Sequence, residues 1–172
     1  MMSARSAPLQ RPVSRVFVGF TILLAWLSEM LPWGQSPWVP DLVALVLVFW
    51  NIHQPRKVGI GVAFLVGLLV DVHASSLLGE RALTYSLLSF GAISLHRRVL
   101  WFATTGQMLH VGLLMLSAVT VSWLIRAALG AAEASWTIWL APVTSTLLWP
   151  VADRLLLWPQ RRPLDRDENR PI

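Results

Sequence analysis

Six apolar stretches follow one another through this chain, at residues 16–31, 39–52, 58–72, 82–95, 100–125 and 136–157, separated by short polar breaks. Nothing else in the sequence constrains the fold as strongly. Apolar segments of this kind cross a bilayer as helices, because hydrocarbon offers no water to satisfy free backbone N–H and C=O groups. The chain is therefore expected to be all-α, a polytopic integral membrane protein of about six transmembrane helices.

The distribution of basic residues orients such a bundle. If each stretch crosses once, twelve of the fourteen Lys and Arg fall on one side. They are Arg5, Arg11 and Arg15, then Arg56 and Lys57, then Arg97 and Arg98, and finally Arg154, Arg161, Arg162, Arg166 and Arg170. Only Arg81 and Arg126 lie opposite. Basic loops stay cytoplasmic, so both termini are expected inside, in a multi-pass protein of the bacterial inner membrane. The domain reading is a basic cytoplasmic tail over 1–15, a six-helix transmembrane domain over 16–158 and a charged cytoplasmic tail over 159–172. Tryptophan placement points the same way. Trp33, Trp38, Trp123, Trp136 and Trp139 fall near the outer interface and Trp50, Trp101 and Trp158 near the inner one, with Trp26 and Trp149 as exceptions.

Composition excludes several function classes. Neither tail is long enough to bury a core, so no soluble catalytic domain is expected. The pI near 11.3 comes from arginines beside membrane spans, whose neighbours are anionic lipid headgroups rather than nucleic acid. With no cysteine, disulfides, thiolate metal sites and cysteine nucleophiles are out. The chain has no H-E-x-x-H, no G-x-S-x-G and no G-x-x-x-x-G-K-[ST], so no enzyme, metal or cofactor is expected. The basic start followed by an apolar stretch resembles a signal peptide. No small-x-small cleavage pattern follows Leu31, and the segment reads as an uncleaved first span.

Span length is where the six-span reading strains. Stretches two, three and four have apolar cores of about fourteen residues, or roughly 21 Å of helix, against roughly 30 Å of hydrocarbon. They are either re-entrant or full spans extended through polar residues sheltered by the bundle. Re-entry would move Arg56 and Lys57 outside and weaken the charge asymmetry, which favours full spans with Asp41 and Asp71 against protein or at the outer interface. The fifth stretch is long enough to need tilt, and Asp153-Arg154 interrupts the sixth.

Three sets of residues are candidates for function. Gly59, Ala63, Gly67 and Asp71 are spaced by four, a small-residue stripe ending in a carboxylate, with Gly79 in the turn beyond. Small residues let another backbone approach, either within the bundle or from a partner helix. Asp71 either accepts backbone N–H groups of the 72–80 loop, pairs with Arg81, or serves as a relay or ligand. Pro40-Asp41 reads as a helix start, with a carboxylate at the positive dipole end. Gln107, His110, Ser117 and Thr120 share a face of the fifth stretch, either bonding between helices or lining a cavity for a small molecule.

The ordered set Pro40-Asp41 through Trp50, Pro55-Arg-Lys-Val-Gly59, Gly67-Leu-Leu-Val-Asp71 and Leu78-Gly79-Glu-Arg-Ala82-Leu83 resembles the rod shape-determining protein MreD family. Leu148-Trp149-Pro150 is similar to an element near the family's last span. The strong part covers about residues 38–95, and Pro40, Gly67, Asp71, Gly79, Trp149 and Pro150 match recurrent family positions. The resemblance implies a non-enzymatic inner-membrane scaffold or regulator of lateral peptidoglycan elongation and rod shape. It implies an MreC-like protein, RodA, a class B penicillin-binding transpeptidase and the MreB filament system as partners, with membrane lipids around it. It also implies an arrangement similar to the S-components of energy-coupling-factor transporters. The alternative reading is a small-molecule-binding or transport membrane subunit using the polar face of the fifth span.

Overall fold

Each apolar stretch becomes a helix, and capping side chains mark the start of the first two. The computed structural model describes residues 14–31, 36, 38–74, 77–131 and 135–160. Among these there are six α-helices, two short 3-10 turns and no strand: α1 (Arg15–Glu29), α2 (Leu42–His53), α3 (Ile60–Ala74), α4 (Glu80–Trp101), α5 (Thr104–Ala128) and α6 (Leu140–Leu157). The turns, Trp136–Trp139 and Trp158–Gln160, flank α6. Ser14 and Asp41 cap α1 and α2 by accepting the N–H of Val16 and Ala44, which satisfies donors a helix start leaves free. Gly79 caps α4 at φ 95°, in the left-handed region where glycine carries no Cβ penalty. Arg5, Arg11, Trp33 and the 161–172 segment lie outside the described residues.

The boundaries differ from expectation in one informative way. The fourth stretch ends at 95 by hydropathy, yet α4 continues through His96, Arg97 and Arg98 to Trp101. Lys- and Arg-type side chains are good helix formers, so a charged run ends the apolar signal without ending the helix. At 22 residues, α4 is about 33 Å long. The sixth helix likewise runs straight through Asp153-Arg154. Among the described residues, α5 is the helix both long and apolar enough to cross a membrane by length and composition, and α2 and α3 are shorter apolar helices.

The short α2 occupies the centre. It is apolar on all sides, and Val43, Ala44, Leu45, Leu47, Val48, Phe49, Trp50, Asn51 and Ile52 are all buried. A helix of that composition belongs in a protein core or in lipid; here α1, α4 and α6 cover it. Two of its side-chain donors find partners inside the bundle: Trp50 Nε1 donates to Thr21 Oγ1 of α1 at 2.8 Å, and Asn51 Nδ2 to Ser89 Oγ of α4 at 2.9 Å. The periphery is the reverse, with Phe20, Leu24, Leu65, Leu69, Phe90 and Leu113 all exposed. An outside as apolar as its core suits a lipid environment.

Candidate functional site

Consecutive helices reverse direction, so one end of the bundle collects the C-termini of α1, α3 and α5 and the N-termini of α2, α4 and α6. The sidedness of charge follows. Among the described residues, Arg81 and Arg126 lie at this end with Glu29, Asp41, Asp71 and Glu80, and the remaining arginines and Lys57 lie toward the other. At that other end His53 Nε2 sits 3.6 Å from Asp153, tying α2 to α6.

Three carboxylates hold the arginine-poor end together. Asp41 joins three helices. Its Oδ1 accepts the Ala44 N–H at 2.8 Å, its Oδ2 accepts from Arg81 Nη1 at 2.9 Å, and its backbone N–H donates to Ser145 Oγ on α6 at 3.1 Å. The Tyr85 hydroxyl, 3.0 and 2.9 Å from the two carboxylate oxygens, donates its proton to the same group. Arg81 Nη1 also reaches Tyr85 OH at 3.2 Å. Hydrogen bonds to a charged group contribute about 1.5–3 kcal/mol each, enough to fix where α4 meets α2.

Asp71, 1% exposed at the end of α3, faces backbone. It accepts the N–H groups of Gly79 at 2.8 Å, Arg81 at 3.0 Å and Ala82 at 3.3 Å. A carboxylate at a helix N-terminus meets unsatisfied donors and the positive end of the dipole. Glu80 completes the set, accepting from Arg126 Nε of α5 at 2.9 Å while its side chain is 1% exposed. The two arginines on the sparse side thus each pair with an acid from another helix.

Between these groups lies a cavity of about 410 Å³. Glu29, Asp41, Glu80, Arg81, Tyr85, Arg126 and Ser145 supply its polar wall, and Leu31, Val39, Met115, Val119, Trp123 and Ile138 its apolar one. The face of α5 that lines it is Met115, Ala118, Val119, Ser122, Trp123 and Arg126. Gln107, His110, Ser117 and Thr120 are not among the lining residues. Gln107 accepts from Trp149 Nε1 at 3.3 Å, and His110 Nδ1 sits 2.8 Å from Gly106 O, its ring stacked on Phe102. Ser117 and Thr120 donate to Leu114 O and Leu116 O of their own helix.

The small-residue stripe on α3 divides. A Cβ at Gly67 would stand 2.5 Å from Ala82 Cα and 2.6 Å from Ala82 N, so glycine is what lets α3 and α4 touch. Ala63 is fully buried, whereas a Cβ at Gly59 meets nothing within 4 Å. Pro40 lines the cavity beside Asp41. Trp149 is fully buried, and Pro150 sits inside α6.

The family model described as rod shape-determining protein MreD matches residues 10–158. The chain belongs to this family. The rod shape-determining protein MreD of Haemophilus influenzae is 33% identical over 141 residues, covering 76% of this chain and 85% of that protein. No solved structure matches the chain. Family membership carries a role in rod shape determination and a membrane location.

Sequence reasoning singled out Asp41 and Asp71 but passed over Glu29, Glu80, Tyr85, Arg126 and Ser145. Signals for some of them existed. Tyr85 is the single tyrosine of the chain, set in an apolar stretch, and Glu29 is an acid inside the first one. Arg126 is one of two basic residues on the sparse side, which made a partner worth seeking.

Proposed function

We propose that this chain is a non-enzymatic, multi-pass inner-membrane scaffold of lateral wall elongation, with both termini cytoplasmic, that docks the helices of an MreC-type protein and of wall synthases. Family membership over residues 10–158 carries the reading. Physical support comes from the bundle itself. Its described residues are almost wholly helix, so contacts with other proteins fall on helix faces and short turns. The carboxylate network ties five helices together at the arginine-poor end, and a well-braced face is suited to fixing a partner's orientation. The RodA, class B transpeptidase and MreB connections belong to the same reading.

Gentle-detergent co-purification of the tagged chain from its native membrane tests it. Recovery of an MreC-like protein with wall synthases is the expected result. The second reading, a small-molecule-binding or transport subunit of the S-component kind, draws on one observation, the 410 Å³ cavity. Recovery of an ATPase in place of wall-synthesis proteins would favour it and overturn the first.

A further inference from the structure

The first helix is anchored to the core along one part of its length, and its other part borders the cavity. We propose that the last turn of α1, residues 26–29, is a movable gate whose swing away from the start of α2 opens the cavity sideways to the surrounding lipid. This goes beyond the scaffold reading and does not depend on it.

The ties of α1 to the central helix cluster toward its start. Phe17 meets the Trp50 ring edge-on at 5.9 Å between centroids, and Thr21 Oγ1 accepts the Trp50 indole N–H at 2.8 Å. The buried residues of α1 are Val18, Ile22 and Ala25, and none after Ala25 in this helix is buried. Trp26 is the last of its apolar residues to pack against the core; Leu27 is exposed and Glu29 half-buried. A helix held by apolar contact at one end pivots about that end, because lifting the other uncovers little apolar surface.

Two further observations mark the last turn as poised to move. Trp26 stands edge-on to His73 of α3, at 6.4 Å between centroids, and its Nε1–H is buried without a hydrogen-bond partner among the described residues. A buried donor left unpaired weakens the closed arrangement, and a swing of the helix end brings that N–H toward water and headgroups. Beyond Trp26 the helix end is not packed down onto the chain that leads into α2. A space of about 80 Å³ lies there, lined by Ser28, Glu29, Trp38, Val39, Pro40 and Leu42. Trp38 in its wall is 61% exposed, so this space reaches the protein surface. Glu29, Val39 and Pro40 also line the cavity of about 410 Å³. The two spaces therefore meet at Glu29, whose carboxyl accepts no hydrogen bond from a described residue. One turn of helix separates the cavity from the outside on this flank.

The test is distance measurement between spin labels by pulsed electron resonance, on the full chain in lipid nanodiscs. The exposed pair Leu27→Cys and Leu124→Cys reports the gate, and the exposed pair Val16→Cys and Leu109→Cys reports the held end of α1. The gate pair should give a distance distribution about twice as broad as the held pair, as two exchanging arrangements require. Trp26→Phe removes the unpaired N–H and should narrow the gate distribution while leaving the held one unchanged. A single label at Val119, in the cavity wall, tests what the gate controls. Its relaxation by oxygen, which partitions into lipid, should fall when a short cross-linker joins Ser28→Cys to Leu42→Cys across the small space. Equal widths for the two pairs, or a gate distribution that Trp26→Phe leaves unchanged, would overturn the proposal. So would oxygen access at Val119 that the cross-link does not alter, since the cavity would then be reached by another route.

Discussion

Gly67→Ala should damage this protein far more than the size of a methyl group suggests. The new Cβ would stand 2.5 Å from Ala82 Cα, 2.6 Å from Ala82 N and 2.7 Å from Arg81 C. All three are backbone atoms of α4, so no rotamer change relieves the overlap and the helices must separate. Overpacking of this kind costs about 1–3 kcal/mol. One turn further along α3, Asp71 bonds the N–H groups of Gly79, Arg81 and Ala82, and separation stretches those bonds too. Weakening one of them adds about 1.5 kcal/mol, for a total of about 2.5–4.5 kcal/mol. In a chain of this size that lowers the melting midpoint by roughly 5–15 °C. The assay is thermal unfolding in detergent, followed by tryptophan fluorescence, with Gly61→Ala as the control. A Cβ at Gly61 meets nothing within 4 Å, so that variant should melt at or slightly above the parent temperature. Because the clash is inside the chain, expression and partner recovery should fall together. A Gly67→Ala protein that melts with the parent would refute the close α3–α4 approach.

Asp71→Asn keeps the shape but turns one acceptor into an NH₂ group facing backbone donors, and should cost about 2–3 kcal/mol by the same melting assay; an unchanged midpoint would contradict the cap. Tyr85→Phe removes the hydroxyl bonded to Asp41 while sparing the Arg81 pair, and should cost about 1–2 kcal/mol. Arg81→Ala removes the counter-charge of Asp41, leaving it the Ala44 N–H and the Tyr85 hydroxyl, and should cost more, so equal losses would refute that ordering. The absence of native cysteine permits single-cysteine labelling without background. A cysteine at Leu78 should react with an impermeant maleimide added outside the cell and one at Arg56 should not; the reverse pattern would invert the proposed topology.

Much of the fold was legible because apolar stretches and helices coincide when backbone polarity has to be satisfied within the segment. What hydropathy missed was the length of α4, since His96, Arg97 and Arg98 end an apolar window but not a helix. The central place of α2 was also out of reach, because an all-round apolar helix suits lipid and a protein core equally well. The candidate site was half legible. Asp41 and Asp71 stand out as acids at helix ends, but Asp41's partners Arg81 and Tyr85 lie forty and forty-four residues beyond it in sequence. The polar stripe on α5 left two readings open, and Gln107 bonds across to Trp149 of α6. Serine and threonine in a helix can bond a carbonyl one turn back, as Ser117 and Thr120 do, so a polar face need not look into a cavity.

Cell shape tests the central claim most directly. Deletion of this chain in its native cell, with width and roundness scored by microscopy, should convert rods to rounded cells, and the wild-type chain supplied in trans should restore them. Cells that stay rod-shaped without it, growing with normal width, would contradict a role in shape determination.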